Sequence, residues 1–168
     1  MIDKFLSKAI HHLYTEEFLF AIIELQTSFE SYIRMCHYLI LVKKGESDEK
    51  IEKAKNYSFR NTIVHHIGKY LDIDLDFENN PVINKWYINL YSLRNKIVHS
   101  DLSYISGDEA YAAFDALDEN INYLNELMVN KGFMEPDGKV IIEELNRNTP
   151  AHIDSKEVEK RLKERGFL

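Results

Sequence analysis

The chain has 168 residues and a mass of 19.8 kDa, enough for one domain with a proper core and too little for two. Apolar residues make up 45% and charged residues 29%, which excludes global disorder, and only three prolines and six glycines favour long helices over many short strands. The net charge of −7 is uneven: residues 1–99 hold 13 Lys/Arg against 13 Asp/Glu, while residues 100–168 hold 8 against 15. Such a surface argues against coating nucleic acid by bulk electrostatics and still allows a local cationic pocket.

Residues 3–13 read as a short helix, without the basic-then-apolar build of a signal peptide. Thr15 reads as the N-cap of a long amphipathic helix, with Glu16 and Glu17 suited to its first turn. Phe18, Ile22, Leu25, Phe29, Tyr32, Ile33, Cys36, Leu39 and Ile40 recur along it at three- and four-residue steps, and Gly45 ends it. Cys36 is the single cysteine and reads as core filler in a cytoplasmic protein. FLFAII stops at Glu24, far short of the roughly 18 apolar residues a membrane span requires. KKGESDEKIEKAKN, of mixed charge, reads as a loop or a solvated helical turn.

A second helix starts near Ser58, carries Phe59, Ile63, Ile67 and Tyr70 on one face, and fades in the acidic loop DIDLDFENN. Asp72, Asp74 and Asp76 alternate there without the glycine and terminal glutamate of a calcium loop. Asn80 followed by Pro81 opens a third helix, with Ile83, Trp86, Tyr87, Leu90, Leu93 and Ile97 apolar, which breaks at Ser100, Asp101 and Ser103. Trp86, Tyr87 and Tyr91 are the residues of this helix available to an interface. Ser106 and Glu109 form a capping box for a fourth helix bearing Tyr111, Phe114, Leu117, Ile121, Leu124 and Met128. These elements imply an all-α, up-and-down four-helix bundle over residues 1–130. Residues 131–168 form a C-terminal extension, with a short strand expected near Val140–Ile142 and a last helix ending at Gly166.

One hexapeptide pattern occurs twice, as FRNTIVHHI (Phe59–Ile67) and LRNKIVHSD (Leu93–Asp101). On a wheel of about 100° per residue, Arg94 falls about 40° from Leu90, at the edge of the apolar stripe, and His99 falls on the far side in line with Asn95. A guanidinium there requires an anion. Either a carboxylate such as Glu30 pairs with Arg94 and braces the core, or the anion is a ligand. His99 lies where the helix stops, a setting that favours the imidazolium and leaves the ring free to turn. Arg60 and His65 repeat the offset mid-helix, so that copy reads as an echo with His65 on the surface. Arginine to grip phosphate and histidine to move a proton suit attack of an RNA 2′-hydroxyl on its own phosphodiester, with no metal. The adjacent pairs His11-His12 and His65-His66 diverge by about 100°, the wrong geometry for a helical metal site.

A four-helix bundle with R-N-x-x-x-H at the end of its third helix resembles the HEPN superfamily, over roughly residues 15 to 130. The resemblance implies a metal-independent RNA endonuclease without cofactor, of toxin or phage-defence type. Arg94 and His99 would be catalytic, with Asn95 orienting them. It further implies a homodimer with both motifs facing one cleft, an antitoxin or operon partner, and a supporting first-helix carboxylate, Glu30 in preference to Glu24. Members paired with a nucleotidyltransferase antitoxin carry a tyrosine two residues after the histidine, where this chain has Asp101. Other members are non-catalytic dimerisation or ligand-sensing modules, and the acidic half after the motif keeps that alternative open.

Overall fold

Six helices account for the residues described by this computed structural model, 2–99 and 103–134, and they pack as an all-α bundle. They are α1 (Ile2–Tyr14), α2 (Phe18–Lys43), α3 (Asp48–Ala54), α4 (residues 59–71), α5 (residues 81–99) and α6 (Gly107–Asn130). Helix α2 is the central element, packing against all five others. Its apolar positions Ile22, Leu25, Phe29, Ile33 and Ile40 are fully buried at helical spacing, which is what holds so long a helix in place. The expected strand and last helix of the C-terminal extension lie outside the described residues, as do Ser100 and Asp101. No helix among the described residues is long and apolar enough to cross a membrane.

The expected cap of α2 is displaced. Thr15 closes α1 instead: its N–H and hydroxyl both donate to the His11 carbonyl, at 2.9 and 3.1 Å. Glu16 then takes the left-handed conformation (φ 62°), and α2 starts behind Glu17, which has no side-chain cap bond. Glu17 is instead held by His12 Nδ1 at 2.8 Å and by the Thr15 hydroxyl at 3.0 Å. At the other end Gly45 (φ 68°) sends its N–H to Val42, and Glu46 sends its own to Leu41, a left-handed stop that glycine adopts without strain.

The mixed-charge stretch after Gly45 contains a true short helix. Ser47 accepts from the Lys50 N–H, Asp48 and Glu49 occupy the first turn, and Ala54 turns into the protein. Helices α4 and α5 each contain wider π-type turns, at Asn61–Ile67 and Tyr87–Tyr91. Gly68 follows the first of them because a Cβ there would lie 2.9 Å from the Ile73 carbonyl oxygen. Asn80 caps α5 through the Val82 and Ile83 N–H groups with Pro81 at its start, and Ser106 and Glu109 form the reciprocal box on α6.

Trp86 is fully buried and therefore no interface residue; its ring lies among Phe29, Phe59, Phe77 and Tyr91. Tyr87 and Tyr91 are half-buried beside it and stack on each other. Of these three aromatics only Trp86 is wholly spent on the core; Tyr87 and Tyr91 keep part of their surface exposed.

Candidate functional site

The two copies of the repeated pattern meet different fates. In the first, Arg60 Nη2 lies 3.4 Å from Asp76 Oδ2 and its guanidinium sits 5.2 Å over the Phe77 ring. The Glu78 N–H, and then Arg60, hold the Asp76 carboxyl below the usual carboxylate range. Arg60 thus fastens the acidic loop to α4, and Asp74 and Asp76 act as turn formers, accepting from the N–H groups of Asp76 and Glu78. His65 is exposed, and His66 turns inward. Its ring stacks on Tyr57 at 4.4 Å and lies 5.2 Å from that of His37.

In the second copy Arg94 and Asn95 are half-buried and His99, the last residue of the helix, is exposed. Arg94 Nη1 donates to Asn95 Oδ1 at 3.2 Å, and among the described residues Arg94 forms no ion pair. The bracing partner weighed from the wheel is engaged elsewhere: Glu30 accepts from Gln26 Nε2 at 3.0 Å. The π-type turns just before Ser92 alter the wheel, because each residue in a wider turn advances through a smaller angle. Arg94 is nonetheless half-buried, as a place at the edge of the apolar stripe predicts.

The two candidate carboxylates, both on α2, differ in direction. Glu24 faces α1, 3.5 Å from Lys8 Nζ. Glu30 lies one turn from Gln26, whose Oε1 accepts from the buried Trp86 Nε1 at 3.2 Å. Of the two, Glu30 is the one on the side of α2 that carries Gln26 and so faces the first half of α5, around Trp86. Lys96 adds a cation to the last turn of α5. Helix α6, by contrast, holds six carboxylates and no lysine or arginine. Among the described residues no three His, Cys, Asp or Glu side chains are placed to hold a metal ion.

His37 is a further candidate, and its signal in the sequence is a histidine set among Ile33, Cys36 and Ile40. It is buried, its Nε2 has no hydrogen-bond partner, and burial followed by the nearby His66 pushes its pKa down to about 4. His66 is lowered too, first by burial and then by His65 and Lys69.

In comparisons with family models, curated proteins and solved structures, the chain matches none.

Proposed function

We propose that this protein is a metal-independent endoribonuclease of HEPN type in which Arg94 and His99 act on RNA. The observation that carries the reading is Arg94: a half-buried guanidinium, hydrogen-bonded to Asn95, with no carboxylate partner among the described residues and an exposed histidine at the end of the same helix. A guanidinium left unneutralised is suited to an incoming anion, and its fork matches a phosphodiester. The imidazole of His99 takes the proton of a 2′-hydroxyl, and the 2′-oxygen attacks the adjacent phosphorus. The bond to the 5′-oxygen breaks, that oxygen takes a proton from water, and the products are a 2′,3′-cyclic phosphate and a 5′-hydroxyl end. Arg94 counters the charge that builds on the phosphoryl oxygens.

The reading includes a homodimer whose two motifs share one cleft, and a cytoplasmic toxin or phage-defence role with an antitoxin or operon partner; both rest on the resemblance. Glu30, on the α5-facing flank of α2, is the supporting carboxylate of choice over Glu24. The test is incubation of wild type and His99→Ala with a defined single-stranded RNA in EDTA, reading the chemistry of the new 3′ ends. Cyclic phosphate ends from wild type alone support the reading; intact RNA from a folded wild type defeats it.

A second reading has its own support. The six carboxylates of α6, with no lysine or arginine on the helix itself and, among the described residues, only Glu119 ion-paired, to Lys85, suit a non-catalytic helical module that recruits a basic partner better than they suit RNA. It requires a stoichiometric complex that survives Arg94→Ala and His99→Ala.

A further inference from the structure

A cavity of about 420 Å³ lies between α2, α3 and the start of α4, away from the motif and independent of the ribonuclease reading. Its size falls in the range of small-molecule sites, roughly 300–1,000 Å³. The short helix α3 follows α2 after a tight turn, and at its far end Arg34 Nη1 donates to the Lys55 carbonyl at 2.8 Å, beside the cavity.

The walls are mostly hydrocarbon. Met35 and Leu41 come from α2, Ile51 and Ala54 from α3. His37 also lines the cavity, and burial keeps its ring neutral down to about pH 4, so the inner wall carries no charge at working pH. Tyr38, at the rim, and Val42, one turn on, are 52% and 46% exposed and extend the apolar surface outward.

The charges on the walls are both positive, Arg34 and Lys55, with no carboxylate among the lining residues. They are not equivalent. The Lys55 ammonium is already paired with Glu52. Arg34 has one N–H fixed by the Lys55 carbonyl, and its other N–H groups meet no acceptor among the described residues. Anchored by one bond, the fork is held ready for a second, and a carboxylate fits it with two parallel bonds. Asp48, Glu49 and Glu52 belong to the same short helix and disfavour a ligand of high negative charge.

We propose that this cavity binds an amphipathic monoanion, an alkyl or aryl carboxylate whose apolar body fills the space between Met35 and Ala54 while its head group is gripped by Arg34.

The probe is decanoate, below its micelle concentration, titrated into the full-length protein carrying ¹³C-methyl methionine, with decanol as the uncharged comparator. The expected result is saturable one-site binding that moves the Met35 methyl and leaves the core Met128 methyl unmoved. Arg34→Gln weakens decanoate about tenfold, the loss of a charged bidentate contact, and leaves decanol unchanged. Ala54→Phe, which fills the cavity, abolishes both. A stationary Met35 methyl at high decanoate overturns the site on the wild type alone, whether or not Ala54→Phe folds. Equal binding of decanol and decanoate, or an Arg34→Gln protein that binds decanoate as wild type does, overturns the anionic class. RNA cleavage is not a readout here, so the two proposals stand or fall separately.

Discussion

The Trp86 indole N–H donates to Gln26 Oε1 at 3.2 Å, and the same Gln26 side chain gives its amide to Glu30 at 3.0 Å. One buried glutamine therefore satisfies the largest core side chain and orients a half-buried carboxylate at the flank of α5. Gln26→Leu keeps the volume and removes both bonds, leaving the indole N–H without an acceptor. It should lower stability by about 1–3 kcal/mol, the cost of a buried unsatisfied donor. In the double variant with Trp86→Phe the loss should fall short of the sum, since the orphaned donor is gone. Urea unfolding of the four proteins measures this; strict additivity would mean that Trp86 finds another acceptor.

Arg94 and His99 separate chemistry from stability. Arg94→Ala should cost under about 1 kcal/mol of stability, because the half-buried guanidinium gives up one hydrogen bond to a neighbour and no ion pair. RNA cleavage should nonetheless be lost in Arg94→Ala and in His99→Ala and retained in His65→Ala, whose side chain is exposed mid-helix. Cleavage rates beside thermal melts decide it. A collapse of stability in Arg94→Ala would make the arginine structural, and a dead His65→Ala would make the first copy more than an echo.

His37 makes folding sensitive to acid. Its imidazole resists protonation in the folded chain until about pH 4, against an ordinary value of 6.5 once unfolded. The unfolded chain therefore binds more protons between those limits, and stability falls as pH drops from 6.5 to 4, by up to about 3 kcal/mol. Burial raises the Asp118 carboxyl, and Asp115 as well, which acts with the opposite sign; both remain in any His37 variant and cancel in the comparison. His37→Phe should match or exceed wild type at pH 7 and lead it by a wider margin at pH 4.5. Urea midpoints at the two pH values give the answer, and an unchanged margin would clear His37 of the effect.

Two glycines should respond in opposite ways to alanine. At Gly68 the new Cβ would sit 2.9 Å from the Ile73 carbonyl, whose own N–H is bonded back to Gly68, so the turn must shift at a cost of about 1–3 kcal/mol. At Gly107, where α6 begins, the nearest atom is the Phe18 ring at 3.4 Å, and the change should stay within about 0.5 kcal/mol. Equal effects at both would deny the backbone approach at Gly68 any weight.

What the sequence by itself determined was whatever depends on neighbours along the chain. The burial of Ile22 through Ile40 on one face, the Asn80 and Ser106 caps, the outward His65 and the half-buried Arg94 ahead of an exposed His99 all follow from side-chain chemistry and helical periodicity. Thr15 closes α1 and does not cap α2, because a helix end and the next helix start compete for the same hydroxyl and the left-handed Glu16 settles the contest. The tertiary structure alone decided which arginine is spent. Arg60 and Arg94 stand in near-identical local sequence, yet the loop carrying Asp76 returns past the first and not the second. It also decided that Trp86 belongs to the core, that His66 rather than His65 turns inward, and that α3 leaves a cavity against α2. A helical wheel knows no distant partner, and it is the packed fold that brings Asp76 to Arg60 and Tyr57 to His66.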